Sequence, residues 1–307
     1  MKDRILRRLT DECKQERLRA AEIAETRREA AFGVPAVSEA QRAYVKALHS
    51  VLLKGGSPDN DELRVLKRSY EEVLAKYGYK ESDFEPAPPC PICGGKGITP
   101  DGKVCACIRD AFICELGVAC DVDPSGFCLD DFDESSVADK VQARALKKVY
   151  GFMSDYAAKF PSVTRRVLVL SGKTGTGKTY LASALARTLI NKGYGALFMS
   201  AVRFNSLMLK CHTSPYSERD RILYDVMHAD MLIIDDLGSE PHYKNVTCEY
   251  LLLILEERSA KGLSTVITTN LTAEEILSAY NERIYSRMCD KRAALFLTFG
   301  GNDLRLA

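Results

Sequence analysis

The run Gly172-Lys173-Thr174-Gly175-Thr176-Gly177-Lys178-Thr179 constrains this chain more than any other stretch. It satisfies G-x-x-x-x-G-K-[ST] throughout, and its flanks are those the pattern requires. The apolar run RVLVL at 166–170 predicts a buried strand before it, and 180–192 has helical periodicity after it. Glycines let backbone N–H groups turn inward around phosphate oxygens, where a Cβ would clash. The helix N-terminus adds partial positive charge. Lys178 is then placed to reach the β- and γ-phosphates of ATP, and the Thr179 hydroxyl to ligate Mg²⁺. Tyr180 follows directly and joins these as a candidate nucleotide contact.

Two further apolar strands end in polar groups. Met231-Leu232-Ile233-Ile234 leads into Asp235 and Asp236. There Asp235 is expected to hold Mg²⁺ through water and Asp236 to polarise the attacking water as general base. Val266-Ile267-Thr268-Thr269 leads into Asn270, whose amide suits a γ-phosphate or an attacking water. Arg283 and Arg287 are four residues apart and share a helix face. A planar, always protonated guanidinium fits γ-phosphate charge and can be supplied by a neighbouring subunit. Ion pairing to Glu282 or Asp290 is the competing reading for these arginines.

From about Val137 onward, strands and helices alternate, with further strands at 196–200, 264–268 and 294–299 and a helix at 250–261. Such alternation predicts a doubly wound, mostly parallel α/β sheet. The N-terminal part reads instead as helices: 1–31, a second after Pro35 capped by Ser38, and a third carrying Leu63, Leu66, Tyr70, Val73, Leu74 and Tyr77. A turn is expected at 55–58, and the proline-rich 83–89 reads as an extended linker. The expected division is a helical docking domain at 1–85, a cysteine module and linker at 86–130, and an ATPase domain at 131–307.

Seven of the eleven cysteines fall between Cys90 and Cys128. An odd total argues against a closed disulfide framework, and clustering points to metal ligation. Cys90-Pro-Ile-Cys93 followed by Cys105-Ala-Cys107 suits a closed structural Zn²⁺ site with no open position for catalysis. Cys114, Cys120 or Cys128 could replace one ligand, and a redox pair or iron–sulfur cluster is the alternative. With 43 basic and 42 acidic residues, the net charge of +1 excludes a globally basic nucleic-acid coat but leaves room for a local basic groove. No apolar run approaches the roughly 18–20 residues that span a bilayer. The charged N-terminus lacks a secretory signal. A cytoplasmic protein without membrane association is expected.

The motifs LVLSGKTGTGKTYLASALA, MLIIDDLGSE, VITTN, NERIYSRM and FGGNDLR, in this order, resemble the AAA+ ATPases of the DnaC/DnaI helicase-loader and IstB group. The resemblance covers about Phe132 to the C-terminus, and the cysteine segment is similar to loaders of the DnaI and phage type. It implies an AAA+ sheet without a C-terminal lid, since only 37 residues follow Asn270. It further implies docking to a hexameric replicative helicase of the DnaB type through the N-terminal domain, binding of single-stranded DNA, and self-association through the AAA+ domain. Under it, Lys178 and Thr179 are the phosphate-loop pair, Asp235 and Asp236 the Walker B acids, Asn270 the sensor and Arg287 the finger, with Arg283 beside it. Asp236 stands where the usual second acid is Glu, so slow hydrolysis is expected. The segment 201–228 resembles an initiator-type insertion that touches DNA. There Arg203, Lys210 and Arg219 would supply charge and Phe204 a stacking ring. An IstB-like transposition helper and an ATP-binding adaptor with little hydrolysis are the alternatives.

Overall fold

The computed structural model describes residues 1–55, 57, 60–123 and 125–305. The expected turn at 55–58 lies partly outside these residues. The chain divides into two compact units, Arg7–Arg109 and Met1–Leu6 with Asp110–Ala307. No helix among the described residues is long and apolar enough to cross a membrane.

The first unit is helical, built from α1 (Lys2–Phe32) beyond its first turn, α2 (Pro35–Leu53) and α3 (Asp61–Lys76). Pro35 opens α2 rather than interrupting before it, because a proline at the first helical position gives up an N–H that would be unpaired anyway. Ser38 is therefore not the cap; it lies inside the first turn, with its hydroxyl donating to Pro35 O at 3.0 Å. Asn60 caps α3 by accepting the Leu63 N–H at 2.8 Å. Ala31, Val37, Tyr70 and Leu74 form the small core of this unit.

The second unit is the predicted α/β sheet. Helix α4 (Ala106–Ala119) and α5 (Lys140–Lys159) precede β1 (Val167–Gly172), which leads to α6 (Lys178–Asn191) and β2 (Ala196–Ser200). Then follow α7 (Ala201–Thr213), α8 (Tyr216–His228), β3 (Met231–Leu237), α9 (Thr247–Ala260), β4 (Ser264–Thr269), α10 (Ala273–Ala279), α11 (Glu282–Cys289) and β5 (Ala294–Phe299). The five strands lie in the order β2-β3-β4-β1-β5, and every pairing is parallel. Strand β1 is flanked by β4 and β5, which explains why Leu168, Val169 and Leu170 are all buried completely. Val167, Val169, Leu232, Ile234 and Ile267 face one large core shared with α7, α8, α9 and α11. Their alternate neighbours face the opposite side, where α6 crosses the sheet. Among the described residues, 300–305 follow β5 without a helix.

Arg258 ties this layer together from within. It is fully buried at the end of α9. It donates to Val226 O at 2.7 Å, Ala229 O at 3.0 Å, Ser264 O at 2.5 Å and Thr265 Oγ1 at 3.1 Å. One side chain thus joins the end of α8 to the start of β4.

Candidate functional site

The phosphate loop lies between the C-terminal end of β1 and the N-terminus of α6. Two glycines are dictated by geometry. Gly172 has φ of 152°, and a Cβ there would lie 2.3 Å from Phe299 O of the neighbouring strand. Gly177, with φ of 94°, is the N-cap of α6 in the left-handed conformation. Thr176 is buried and braces the loop by donating to Lys173 O at 2.8 Å. Thr174, Gly175, Gly177, Lys178, Thr179 and Tyr180 line a cavity of about 960 Å³ together with Asp235, Asp236, Thr268 and Asn270. Gly172, Lys173 and Thr176 support the loop from outside that lining.

Lys178 is only 6% exposed, and its ammonium donates to Gly172 O at 2.6 Å, Lys173 O at 2.8 Å and Asn270 Oδ1 at 2.9 Å. Asn270 Nδ2 in turn donates to Asp236 Oδ1 at 2.9 Å. A parallel link runs from Thr268, whose hydroxyl donates to Asp235 Oδ1 at 2.7 Å and accepts the Asp236 N–H at 2.8 Å. Burial pulls the Lys178 ammonium below its usual range; the Asp236 and Asp235 carboxylates work against that shift.

Consecutive residues of a strand point to opposite faces, yet both acids line one cavity. A bulge resolves this. Ile234 pairs with Ile267 but Leu237 with Thr269, so β3 carries one extra residue, and Asp236 takes φ of 60°. The kink re-aims Asp236 toward the phosphate loop.

Several site residues carry no signal in local spacing. Phe127, Phe132, Leu146 and Tyr150 form an apolar wall of the cavity. Phe132 stacks on Tyr150 at 4.1 Å between ring centroids, and Phe127 lies 4.6 Å from Tyr180. Arg187 of α6 holds this wall by donating to the carbonyls of Asp123 and Phe127. Arg305 also lines the cavity, paired with Asp303, while Leu304 N–H donates to Gly175 O at 2.9 Å. The motif FGGNDLR was the available signal for Arg305. Arg283 and Arg287 are exposed, do not line their own chain's cavity, and both reach Glu256 Oε1, at 3.5 and 3.0 Å. The partner is Glu256, not Glu282 or Asp290.

The four thiols of Cys90, Cys93, Cys105 and Cys107 lie within 4.8 Å of one another. Cys90 and Cys105 are separated by 3.8 Å and Cys93 and Cys107 by 3.7 Å. A tetrahedron of Zn–S bonds near 2.3 Å has edges of about 3.8 Å, so the donor set fits one Zn²⁺. A four-iron cluster would hold the thiolates farther apart. Burial opposes ionisation of Cys93, but the Gly97 N–H, at 3.2 Å, and the neighbouring thiols bring it down to about 6. Cys120 and Cys128 lie elsewhere, beside Met1 and Asn191, so they do not replace a ligand.

The insertion-like segment is corrected in one respect. Phe204 is 4% exposed and belongs to the core under the sheet, so its ring has no face for a base. Arg203 and Lys210 are exposed, with Arg203 paired to Asp121. The exposed aromatic rings of this segment are instead on α8, at Tyr216 and Tyr224.

This fold and site define a P-loop nucleotide-binding α/β protein. Residues 126–291, more than half of the chain, match the model of the IstB-like ATP binding protein family, and the chain belongs to that family. The replicative helicase loader DnaC of Escherichia coli strain K12 is 28% identical over 159 residues, 51% of this chain and 62% of that protein. The replicative helicase loader DnaC of Buchnera aphidicola from Acyrthosiphon pisum is 30% identical over 178 residues, 57% of this chain and 68% of that protein. The chain thus spans a little under two thirds of the E. coli relative. A crystal structure of the DnaC helicase loader superposes with a TM-score of 0.48 at 20% identity, over 58% of this chain and 98% of that one. The resemblance to the DnaC/IstB group read from the motifs is borne out.

Proposed function

We propose that the chain is an ATP-dependent loader that places a hexameric replicative DNA helicase on single-stranded DNA. The observation that carries the ATP half is the unbroken path Lys178–Asn270–Asp236, which joins phosphate lysine, sensor amide and general base across two strands. Lys178 and the loop N–H groups bind and orient the phosphates. Thr179 and Asp235 would hold Mg²⁺, which would supply charge neutralisation for the phosphates. Asp236 takes the proton of the attacking water, and Asn270 orients that water. Arg287, with Arg283, acts in trans on a neighbour's γ-phosphate, and hydrolysis is slow because Asp is a shorter base than Glu. The apolar wall of Phe127, Tyr150 and Tyr180 receives the base.

The loader half is supported by the relatives named helicase loader. In this reading residues 1–85 dock the helicase, 86–130 hold a structural zinc, and 131–307 form the ATPase. Single-stranded DNA is taken by Arg203 and Lys210 for charge and by Tyr216 and Tyr224 for stacking. Co-purification of the full chain with a replicative helicase tests it, with ATP and with Lys178→Ala. Capture of the helicase in an ATP-dependent manner is the expected result. No helicase, with binding to a transposase and duplex DNA, overturns the loader in favour of a transposition helper.

A further inference from the structure

Two buried side chains outside the nucleotide cavity join the loop after the Walker B acids to the helix that carries the arginines. Glu240 is 6% exposed and Tyr280 4%. One Glu240 oxygen accepts the Gly238 N–H at 2.8 Å, and the other accepts the Tyr280 hydroxyl. Gly238 lies two residues beyond Asp236, with φ of 103°; a Cβ there would meet Leu271 Cδ1 at 2.9 Å, so a side chain would be strained at this position. Tyr280 ends α10 and immediately precedes Asn281, whose side chain caps α11 by accepting the Ile284 N–H at 2.9 Å. The Tyr280 carbonyl also accepts from Cys248 Sγ of α9 at 3.3 Å, and the His242 ring lies 5.0 Å from the Tyr280 ring.

The arrangement is costly if it serves packing alone. Burying a hydrogen-bonded carboxyl group that has no ion pair among the described residues carries a desolvation penalty that an apolar pair of similar volume would avoid. What the pair does provide is direction. Helix α11 has only eight residues and buries just Ile284 and Met288, so its aim depends on how its N-terminal end is held. The hydrogen bonds from Gly238 through Glu240 to Tyr280 hold that end against the backbone that follows Asp235 and Asp236.

We propose that Glu240 and Tyr280 are positioning residues that aim Arg283 and Arg287 by reference to Asp235 and Asp236 of the same chain. A chain thereby offers its arginines to a neighbour's ATP in register with its own metal site. This rests on the inter-subunit site proposed above, and the two ideas are separable by mixing chains that are inactive alone. Lys178→Ala removes the phosphate lysine but keeps the arginines; Arg283→Ala with Arg287→Ala keeps the ATP site but offers no arginine. Hydrolysis by the mixture then arises where the first chain faces the second.

Tyr280→Phe in the arginine-donating chain should lower kcat of the mixture by roughly tenfold or more, with KM for ATP unchanged. The same change in the ATP-bearing chain should leave the rate within about twofold. Glu240→Gln, which keeps the shape and an acceptor for the phenol, should act in the same chain but more weakly, and serves if Tyr280→Phe unfolds the donor. An equal loss from either chain, a loss only from the ATP-bearing chain, or none at all overturns the positioning role. Absence of hydrolysis when the two parent chains are mixed overturns the inter-subunit site itself, and the proposal with it.

Discussion

Lys178 has three N–H bonds, and each has an acceptor within 2.9 Å. Its ammonium is therefore placed before any phosphate arrives, and the Asn270 amide is oriented because it accepts from Lys178 while donating to Asp236. Such preorganisation separates binding from chemistry. Lys178→Ala should abolish ATP binding in titration calorimetry; unchanged affinity would refute the site. Asp236→Asn preserves size and the Asn270 contact but removes the base. It should leave ATP affinity intact while lowering kcat by roughly 10²–10⁴-fold. A parallel loss of affinity would show that Asp236 binds nucleotide rather than activating water.

At the scale of elements, the ends of strands and helices do the positioning. The bulge at the end of β3 turns two adjacent acids to one side, and Gly177 starts α6 where its free N–H groups face the cavity. Behind these ends, Arg258 serves three backbone carbonyls from α8, its following residue and β4. Arg258→Met fills much of the volume but leaves those carbonyls buried without donors. The expected cost is about 3 kcal/mol or more in denaturant unfolding, because each orphaned group bears its desolvation penalty. A loss below about 1 kcal/mol would mean that water or backbone rearrangement replaces the guanidinium.

At the scale of the whole molecule, thiol cluster and nucleotide cavity belong to different compact units. Metal analysis should find about one zinc per chain, in keeping with a closed four-thiolate site. Cys90→Ser with Cys93→Ser should remove it and raise amide hydrogen exchange across residues 86–109. ATP affinity should stay the same, since no residue lining the cavity comes from that unit. Retention of zinc in the double variant would require other ligands and overturn the assignment.

The sequence by itself determined whatever depends on short spacing. The phosphate loop between RVLVL and its helix, the acids at the end of an apolar run, Asn270 after VITT and the four-cysteine pattern all contain their geometry within a few residues. Strands β2 and β5 were legible to the residue for the same reason. Tertiary structure alone decided the rest. Phe204 reads as an available ring because helix periodicity does not say which face meets the sheet; packing against β2 and β3 buried it. The extra residue in β3 is visible only against the register of β4. Phe127 and Tyr150 reach the cavity from segments ahead of the phosphate loop, and Glu240 pairs with Tyr280 across 40 residues of chain. Hydrogen bonds and ring contacts of that kind form only after the sheet has assembled, so no local pattern encodes them.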